Sequence, residues 1–303
     1  MTGKVVLITG ASRGIGAAVA RRLAGEGATL ALVGLEPDEL ARVAADCGPD
    51  AGWWEADVTD TDSLRQAVEA IAERYGRIDV VVANAGIAAP GFSRSMDPAV
   101  WERVLDVDLY GVWRTVRTTL PHLLESRGYL LLVSSLAAVV HIPGLASYNV
   151  AKAGVEALGN SLRAELKHLG VDVGVAHLTF VDTDMVRGAD EHPVFGGLRT
   201  RIPLVGRVYP LDLAVDKFAK GIQKRARVVH VPGWIGVLKA VRSLMPRLVE
   251  FGARFNVPRA DRAALADIEA RGLVESSRAS GAGGRADATK AANRRADTEM
   301  ADR

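Results

Sequence analysis

Val5-Val6-Leu7-Ile8, followed at once by Thr9-Gly10-Ala11-Ser12-Arg13-Gly14-Ile15-Gly16, is the stretch that decides the fold. The apolar, β-branched run predicts a strand over Val5–Ile8. The glycines after it permit a tight turn, and the apolar residues from Ile15 to Ala24 predict a helix. A strand that turns through glycine into a helix opens a βαβ unit. Its glycines let the backbone approach a pyrophosphate, whose charge is favoured at the helix N-terminus. Taken alone, such a turn is equally well a plain strand-to-helix connection, and the rest of the chain has to decide between the two.

Working outward, short apolar runs alternate with longer helical patterns. Further strands are predicted at Thr29–Val33, Gly52–Glu55, Asp79–Val82, Tyr129–Val133, Asp172–Ala176 and Val228–Val231. Helices are predicted near Asp38–Asp46, Asp62–Tyr75, Pro98–Glu125, Ser147–Leu169 and Leu211–Lys224. Tyr129–Val133 is almost wholly apolar, as a strand buried on both faces should be. The expectation is an α/β fold, a doubly wound parallel (Rossmann) sheet of about seven strands with helices on both faces.

Bulk properties narrow the function. A chain of 303 residues holds one large α/β domain, here 1–232. A formal charge of +2 with mixed signs gives no electrostatic case for nucleic acid. Cys47 is the only cysteine, and the six histidines have no metal-ligand spacing, so no metal is expected. A first strand starting near Lys4 leaves no space for a signal peptide. No apolar run approaches the ~20 residues needed to span a bilayer, so the expected location is cytoplasmic.

Further motifs follow in a fixed order: Asp57-Val58, Asn84-Ala85-Gly86, Ser135 and Tyr148-x-x-x-Lys152. Together with Thr-Gly-x-x-x-Gly-x-Gly they make the chain resemble the short-chain dehydrogenase/reductase family from about Gly3 to Pro232. The resemblance implies a nicotinamide cofactor bound through Gly10, Ser12, Arg13, Gly14, Ile15 and Gly16 of the turn. It also implies Asp57 and Val58 beside the adenine, and Asn84, Ala85 and Gly86 closing the fourth strand. Thr183 matches the residue that reaches the nicotinamide carboxamide.

The reacting groups also follow from chemistry. Hydride transfer to a carbonyl leaves an alkoxide that needs a proton. A tyrosine hydroxyl, with an unperturbed pKa near ~10, gives it readily only if positive charge is close. Tyr148 and Lys152 are four residues apart and project on one helix face. Lys152 can supply that charge and, by resemblance, hold the cofactor ribose. Ser135, at the end of the fifth strand, can steady the substrate oxygen, while alternation turns Ser134 the other way. A packed tyrosine beside a solvated lysine is the plainer reading of the pair in isolation. The glycine turn, Asn84 and Ser135 in register oppose it.

Two positions depart from the family's pattern. Asp108 stands where the family usually has Asn, the fourth catalytic member, whose backbone carbonyl holds a water. A carboxylate there should raise the Lys152 pKa and weaken its hold on the tyrosine proton. After the sixth strand the usual Pro-Gly is replaced within Phe180-Val181-Asp182-Thr183. These departures support an alternative, a catalytically weak cofactor-binding regulatory or scaffold member of the same fold. At the end of the second strand, Gly34 offers no acid to repel a 2′-phosphate, and Arg13 could pair with one, which favours NADP. Leu35, at a place where many NADP users have Arg, and nearby Glu36 keep NAD as the other choice.

The cleft wall is expected from Ile87–Arg94, Leu136–Pro143 and an irregular Val186–Pro210 segment, mostly apolar, suiting a hydrophobic ketone or secondary alcohol. His141 is a candidate substrate contact, although a lone loop histidine is more often solvated. Residues 233–275 are expected to form an amphipathic helical extension. Within it, Leu238, Val241, Met245, Leu248 and Phe255 recur at helical spacing among Lys239, Arg242, Arg247 and Arg254. Segment 234–255 therefore suits peripheral contact with an anionic membrane, or docking on the cleft or a second subunit. Residues 276–303, rich in Ala, Gly, Ser, Arg and Asp, are expected to be a disordered tail. Family members form homodimers or homotetramers through the two long helices, which implies the same here.

Overall fold

The computed structural model describes residues 1–192, 195–199 and 205–301. Among them seven strands form one sheet: β1 Val5–Thr9, β2 Thr29–Gly34, β3 Gly52–Glu55, β4 Val80–Ala83, β5 Tyr129–Ser135, β6 Asp172–Leu178 and β7 Val228–Val231. All neighbours are parallel and the order is β3-β2-β1-β4-β5-β6-β7. The direction of winding reverses between β1 and β4, which opens a crevice at the carboxyl ends of those strands.

Period-2 alternation divides the core in two. Val6, Ile8, Leu30, Leu32 and Leu131 point to one face, against helices α1 (Gly14–Ala24), α2 (Pro37–Cys47) and α9 (Leu211–Gln223). Leu7, Ala31, Val33, Leu130 and Leu132 point to the other, against α3 (Thr61–Tyr75), α5 (Gly111–Ser126) and α6 (Ala146–Leu166). Both faces are apolar, so the strands carry the unbroken Val/Leu/Ile runs seen in the sequence. Local signals set the helix ends. The Asp60 side chain accepts from the amides of Asp62 and Ser63 at 3.0 Å each and starts α3, and Gly76 at φ 72° stops it.

The structure departs from the expected elements in three places. The single helix expected over Pro98–Glu125 is α4 (Pro98–Leu105), a π-helical turn at Asp106–Tyr110, and then α5. The widened turn carries Asp108 inward, where it is fully buried. The Val186–Pro210 segment, expected to be irregular, takes in most of α7 (Asp184–Asp190) and all of α8 (Phe195–Arg199), while its residues 193–194 and 200–204 lie outside the described residues. Beyond α10 (Ile235–Ala240), α11 (Met245–Arg271) and α12 (Leu273–Ser276), the expected disordered tail is helix α13, Gly281–Ala301. Its alanines are strong helix formers, and Asp287, 3% exposed, ties it to Arg103 of α4 at 2.7 Å.

The segment after β7 is fastened to α6 by one carboxylate. Glu156 meets Lys239 at 2.9 Å, Arg242 at 3.0 Å and His177 of β6 at 3.3 Å. Arg242 also donates to the Ala138 carbonyl at 3.1 Å. No described helix is long and apolar enough to cross a membrane.

Candidate active site

The crevice starts at the β1–α1 turn. Asn84, at the end of β4, donates through Nδ2 to the carbonyls of Thr9 and Gly10 at 3.0 and 3.1 Å. The Thr9 hydroxyl accepts in return from the amides of Asn84 and Ala85 at 3.1 and 3.2 Å. These bonds draw the two strand ends together so tightly that side chains are excluded. A Cβ on Gly10, whose φ is +64°, would lie 2.7 Å from Ala85 Cα, and one on Gly16 would lie 2.3 Å from the Gly10 carbonyl oxygen. Asn84-Ala85-Gly86 and the glycine turn are thus one piece of structure.

Around this turn the crevice is lined by Ser12, Gly14, Ile15, Gly34, Leu35, Asp57, Val58 and Thr183. Asp57 is nearly buried. One of its oxygens accepts from the Thr59 amide and hydroxyl at 2.8 Å each, and the other from Arg103 at 3.2 Å. Arg103 therefore joins Asp57 to Asp287, and residues Ser280, Gly283, Gly284 and Ala286 of the C-terminal segment also border the crevice. Sequence reasoning missed this wall; an alanine-rich helix without an apolar stripe gives no sign of where it docks.

Arg13 does not stand free. Its Nε lies 2.8 Å from Glu36 Oε1 and 3.0 Å from Oε2, and a terminal nitrogen is 3.4 Å from Glu39. The hydrogen bond it donates to Glu36 leads the effects that hold its guanidinium above the ordinary range. Glu36, two residues beyond β2 and weighed above against NADP, is thus in direct contact with the side chain that could pair with a 2′-phosphate.

At the other end, α6 presents Tyr148 and Lys152 on one face, with Lys152 Nζ 5.4 Å from the Tyr148 ring centre. Ser135 ends β5 on the crevice side, its hydroxyl accepting from the Ala137 amide at 3.1 Å and donating to the Leu178 carbonyl at 3.3 Å. Ser134 points away, donating to the Lys152 carbonyl at 2.8 Å, as strand alternation requires. Lys152 Nζ donates to the Val133 carbonyl at 3.2 Å and pairs with Asp108 Oδ2 at 2.9 Å. The other Asp108 oxygen accepts from the Ile87 amide at 2.7 Å.

The electrostatics follow from this geometry. Burial pushes the Tyr148 hydroxyl up; Lys152 and a hydrogen bond with Ser135 pull it down, while Asp108 pushes it up further. Burial alone would lower Lys152, but Asp108 beside it holds the ammonium above its usual range. Burial raises the Asp108 carboxyl, with Lys152 opposing. The lysine charge that should acidify the phenol is thus partly spent on a neighbouring acid.

Phe180-Val181-Asp182, which replaces the usual Pro-Gly, is held by Tyr209. The Tyr209 amide donates to the Phe180 carbonyl at 2.8 Å and its carbonyl accepts from the Asp182 amide at 2.9 Å. Thr183 follows in extended backbone, with its methyl group toward Gly14. Leu136, Ile142, Leu145, Phe180, Val186 and Phe195 form an apolar wall beside Tyr148. Ile87 and Ala88 complete it, whereas His141 is exposed and outside it. Among the described residues no group of His, Cys, Asp and Glu is arranged to hold a metal.

A family model described as short chain dehydrogenase matches residues 4–193. The chain belongs to the short-chain dehydrogenase family. It is 38% identical over 189 residues to a cis-4-hydroxycyclohexanecarboxylate dehydrogenase of Sinomonas cyclohexanicum, covering 61% of this chain and 76% of that one. It is 36% identical over 211 residues to a (-)-trans-carveol dehydrogenase of Rhodococcus erythropolis, covering 64% and 76%. A 3-ketoacyl-(acyl-carrier-protein) reductase from Brucella melitensis, solved with NADH, superimposes with a TM-score of 0.69 at 29% identity, over 76% of this chain and 97% of that one. The short-chain dehydrogenase described here is therefore an oxidoreductase of a family that uses a nicotinamide cofactor.

Proposed function

We propose that this short-chain dehydrogenase interconverts a hydrophobic cyclic secondary alcohol and its ketone, with Tyr148 as the acid–base group. The convergence of Ser135, Tyr148 and Lys152 beneath an apolar wall carries this reading. The crevice suits a dinucleotide: it runs from the glycine turn to Tyr148, and its glycines leave bare backbone for a pyrophosphate. Gly10, Ser12, Arg13, Gly14, Ile15 and Gly16 would hold the phosphates, Asp57 and Val58 the adenine, Asn84, Ala85 and Gly86 the floor between. Thr183 would hold the carboxamide and Lys152 the ribose. A bound nicotinamide supplies or accepts the hydride. Ser135 steadies the substrate oxygen, and Tyr148 exchanges its hydroxyl proton with that oxygen. The apolar side chains keep water from competing.

For the cofactor, the Arg13–Glu36 pair supports NAD rather than the NADP that the sequence suggested. A 2′-phosphate would have to displace a carboxylate already bound in fork geometry, beside a second acid, Glu39. Exposed Tyr110, Trp113 and Val150, on the π-helical turn, α5 and α6, support a homo-oligomer formed through these long helices. A catalytically weak member of the family is the second reading, favoured by the Asp108–Lys152 contact alone.

One experiment tests the reading: a screen of cyclic alcohols and ketones with each cofactor, following absorbance of the reduced nicotinamide, beside dissociation constants for both dinucleotides. Turnover with NAD and tighter binding of NAD are expected. Tight dinucleotide binding without turnover on any hydrophobic alcohol or ketone would transfer support to the second reading.

A further inference from the structure

The helices after β7 have two dissimilar faces. The inner one lies over the active site, where Ile235 and Met245 are buried in the same cluster as Leu136, Ile142, Leu145 and Phe195, with Tyr148 against it. The outer face is also apolar. Val237, Val241, Leu244, Leu248, Phe251 and Phe255 follow at intervals of four, three, four, three and four, and each is between 39% and 71% exposed. Phe251 and Phe255 contact each other edge to face, 5.7 Å between ring centres, on the outside of the molecule. So continuous a row of exposed large apolar side chains is uncommon on a surface that meets only water.

Charge says what covers it. Arg247, Arg254 and Arg259, all exposed, stand beside or at the end of the row and make no ion pair among the described residues. Arg262 extends the line beyond them. Of the acids of α11, Asp261 binds Arg94, Asp267 binds Arg271 and Glu269 lies far beyond Phe255. Exposed Glu250 alone falls among the arginines, between Arg247 and Arg254, and leaves them in excess along the row. Two copies packed face to face would bring these unpaired arginines together around one patch, which like charge opposes. An anionic surface with an apolar interior satisfies both halves of the pattern.

We propose that the outer face of α11 and the turn before it, bearing Leu244, Leu248, Phe251 and Phe255, docks on an anionic lipid membrane, with the arginines on headgroups and the apolar row in the acyl boundary. Docking stands independently of the oxidoreductase reading. Its consequence, that a lipophilic substrate meets the active site from the lipid side, rests on that reading.

Co-sedimentation of the full chain with phosphatidylcholine vesicles, with and without phosphatidylserine, tests it without any assay of turnover. Binding is expected only with phosphatidylserine, weakening with salt and by roughly fivefold for each of Arg247→Gln and Arg254→Gln. The combined Leu248→Ser, Phe251→Ser and Phe255→Ser variant should lose binding at least tenfold, yet keep the parent melting temperature and its turnover of a water-soluble alcohol. A parent chain that stays in the supernatant overturns the proposal, as does serine-variant binding equal to the parent's. So does a parent dimer that the serine variant converts to monomer, which would assign the row to a second copy.

Discussion

Two buried carboxylates lie along helix α6, Asp108 reaching in from the π-helical turn and Glu156 carried by the helix itself, and their protonation is pushed in opposite directions. Asp108 reaches Lys152 and is raised; Glu156, four residues further along the helix, is driven down to about 2. Both lose water, and burial pushes both up. They differ in what replaces the water. Asp108 has one ammonium and one amide. Glu156 has Lys239, Arg242 and His177, enough to overcome burial. The difference teaches that a buried acid becomes a fixed anchor when positive charge surrounds it, and stays responsive when it shares one cation with a reacting phenol.

The comparison predicts that the Asp108 end governs chemistry and the Glu156 end stability. The largest effect is expected from Tyr148→Phe, which should reduce turnover by ~10²–10⁴-fold while leaving dinucleotide binding and melting temperature near the parent values. Steady-state rates and a binding titration check this; retained turnover would mean that the phenol is not the proton donor. Next comes Glu156→Gln, which should cost about 3 kcal/mol of stability in a urea titration. The cost should stay at the low end for a buried ion pair because Lys239 and Arg242 can turn toward water. Turnover should change by no more than a few-fold, and a catalytic loss at unchanged stability would break the division.

A third expectation concerns acid. Burial holds His230, packed against His177, down at about 4 against an ordinary 6.5, so the unfolded chain takes up that proton first. Its contribution to stability is complete above about pH 6.5 and disappears as pH falls toward 4. Glu156, for which hydrogen bonds from His177 and Lys239 outweigh burial, contributes fully above its ordinary 4.5 and loses that contribution toward about 2. Asp108 has the opposite sign: its raised carboxyl costs stability at neutral pH, and acid relieves the cost. Melting temperature should therefore fall from pH 6.5 downward, and His230→Asn should flatten the upper part of that fall. The smallest effect is the most diagnostic for the other acid. Asp108→Asn removes a carboxylate that pushes Tyr148 up, so the limb of the oxidation pH–rate profile that reports the phenolate should move to lower pH. A few-fold gain in rate near neutrality should accompany it, and an unchanged profile would remove Asp108 from the chemistry.

Most of the sheet was legible because a strand buried on both faces needs an uninterrupted apolar run, and Val80–Ala83 and Tyr129–Val133 have no other easy reading. Ser135 could be told from Ser134 by alternation, and Tyr148 paired with Lys152 by helical spacing. What escaped was set by contacts distant in sequence. The π-helical turn shifts the helix register too slightly to disturb the apolar period, so Pro98–Glu125 looked continuous. Glu156 resembles any helix-surface glutamate until Lys239 and Arg242 fold back on it. Glu36 could be seen to lie near Arg13, but nothing local showed that the two side chains pair in fork geometry. The docking of α13 rests on Asp287 and Arg103, 184 positions apart, and no local pattern marks either.

The grip on Glu156 limits how the enzyme can move. Lifting α10 away would leave an anionic side chain stranded in the interior, a loss of several kcal/mol that thermal motion seldom supplies. The outer helical face and the catalytic helix are consequently riveted into one rigid body, and whatever tilts one tilts the other. Among the described residues no such rivet joins α7 or α8 to the catalytic helix, so that part of the crevice wall is not bound to its motion in the same way.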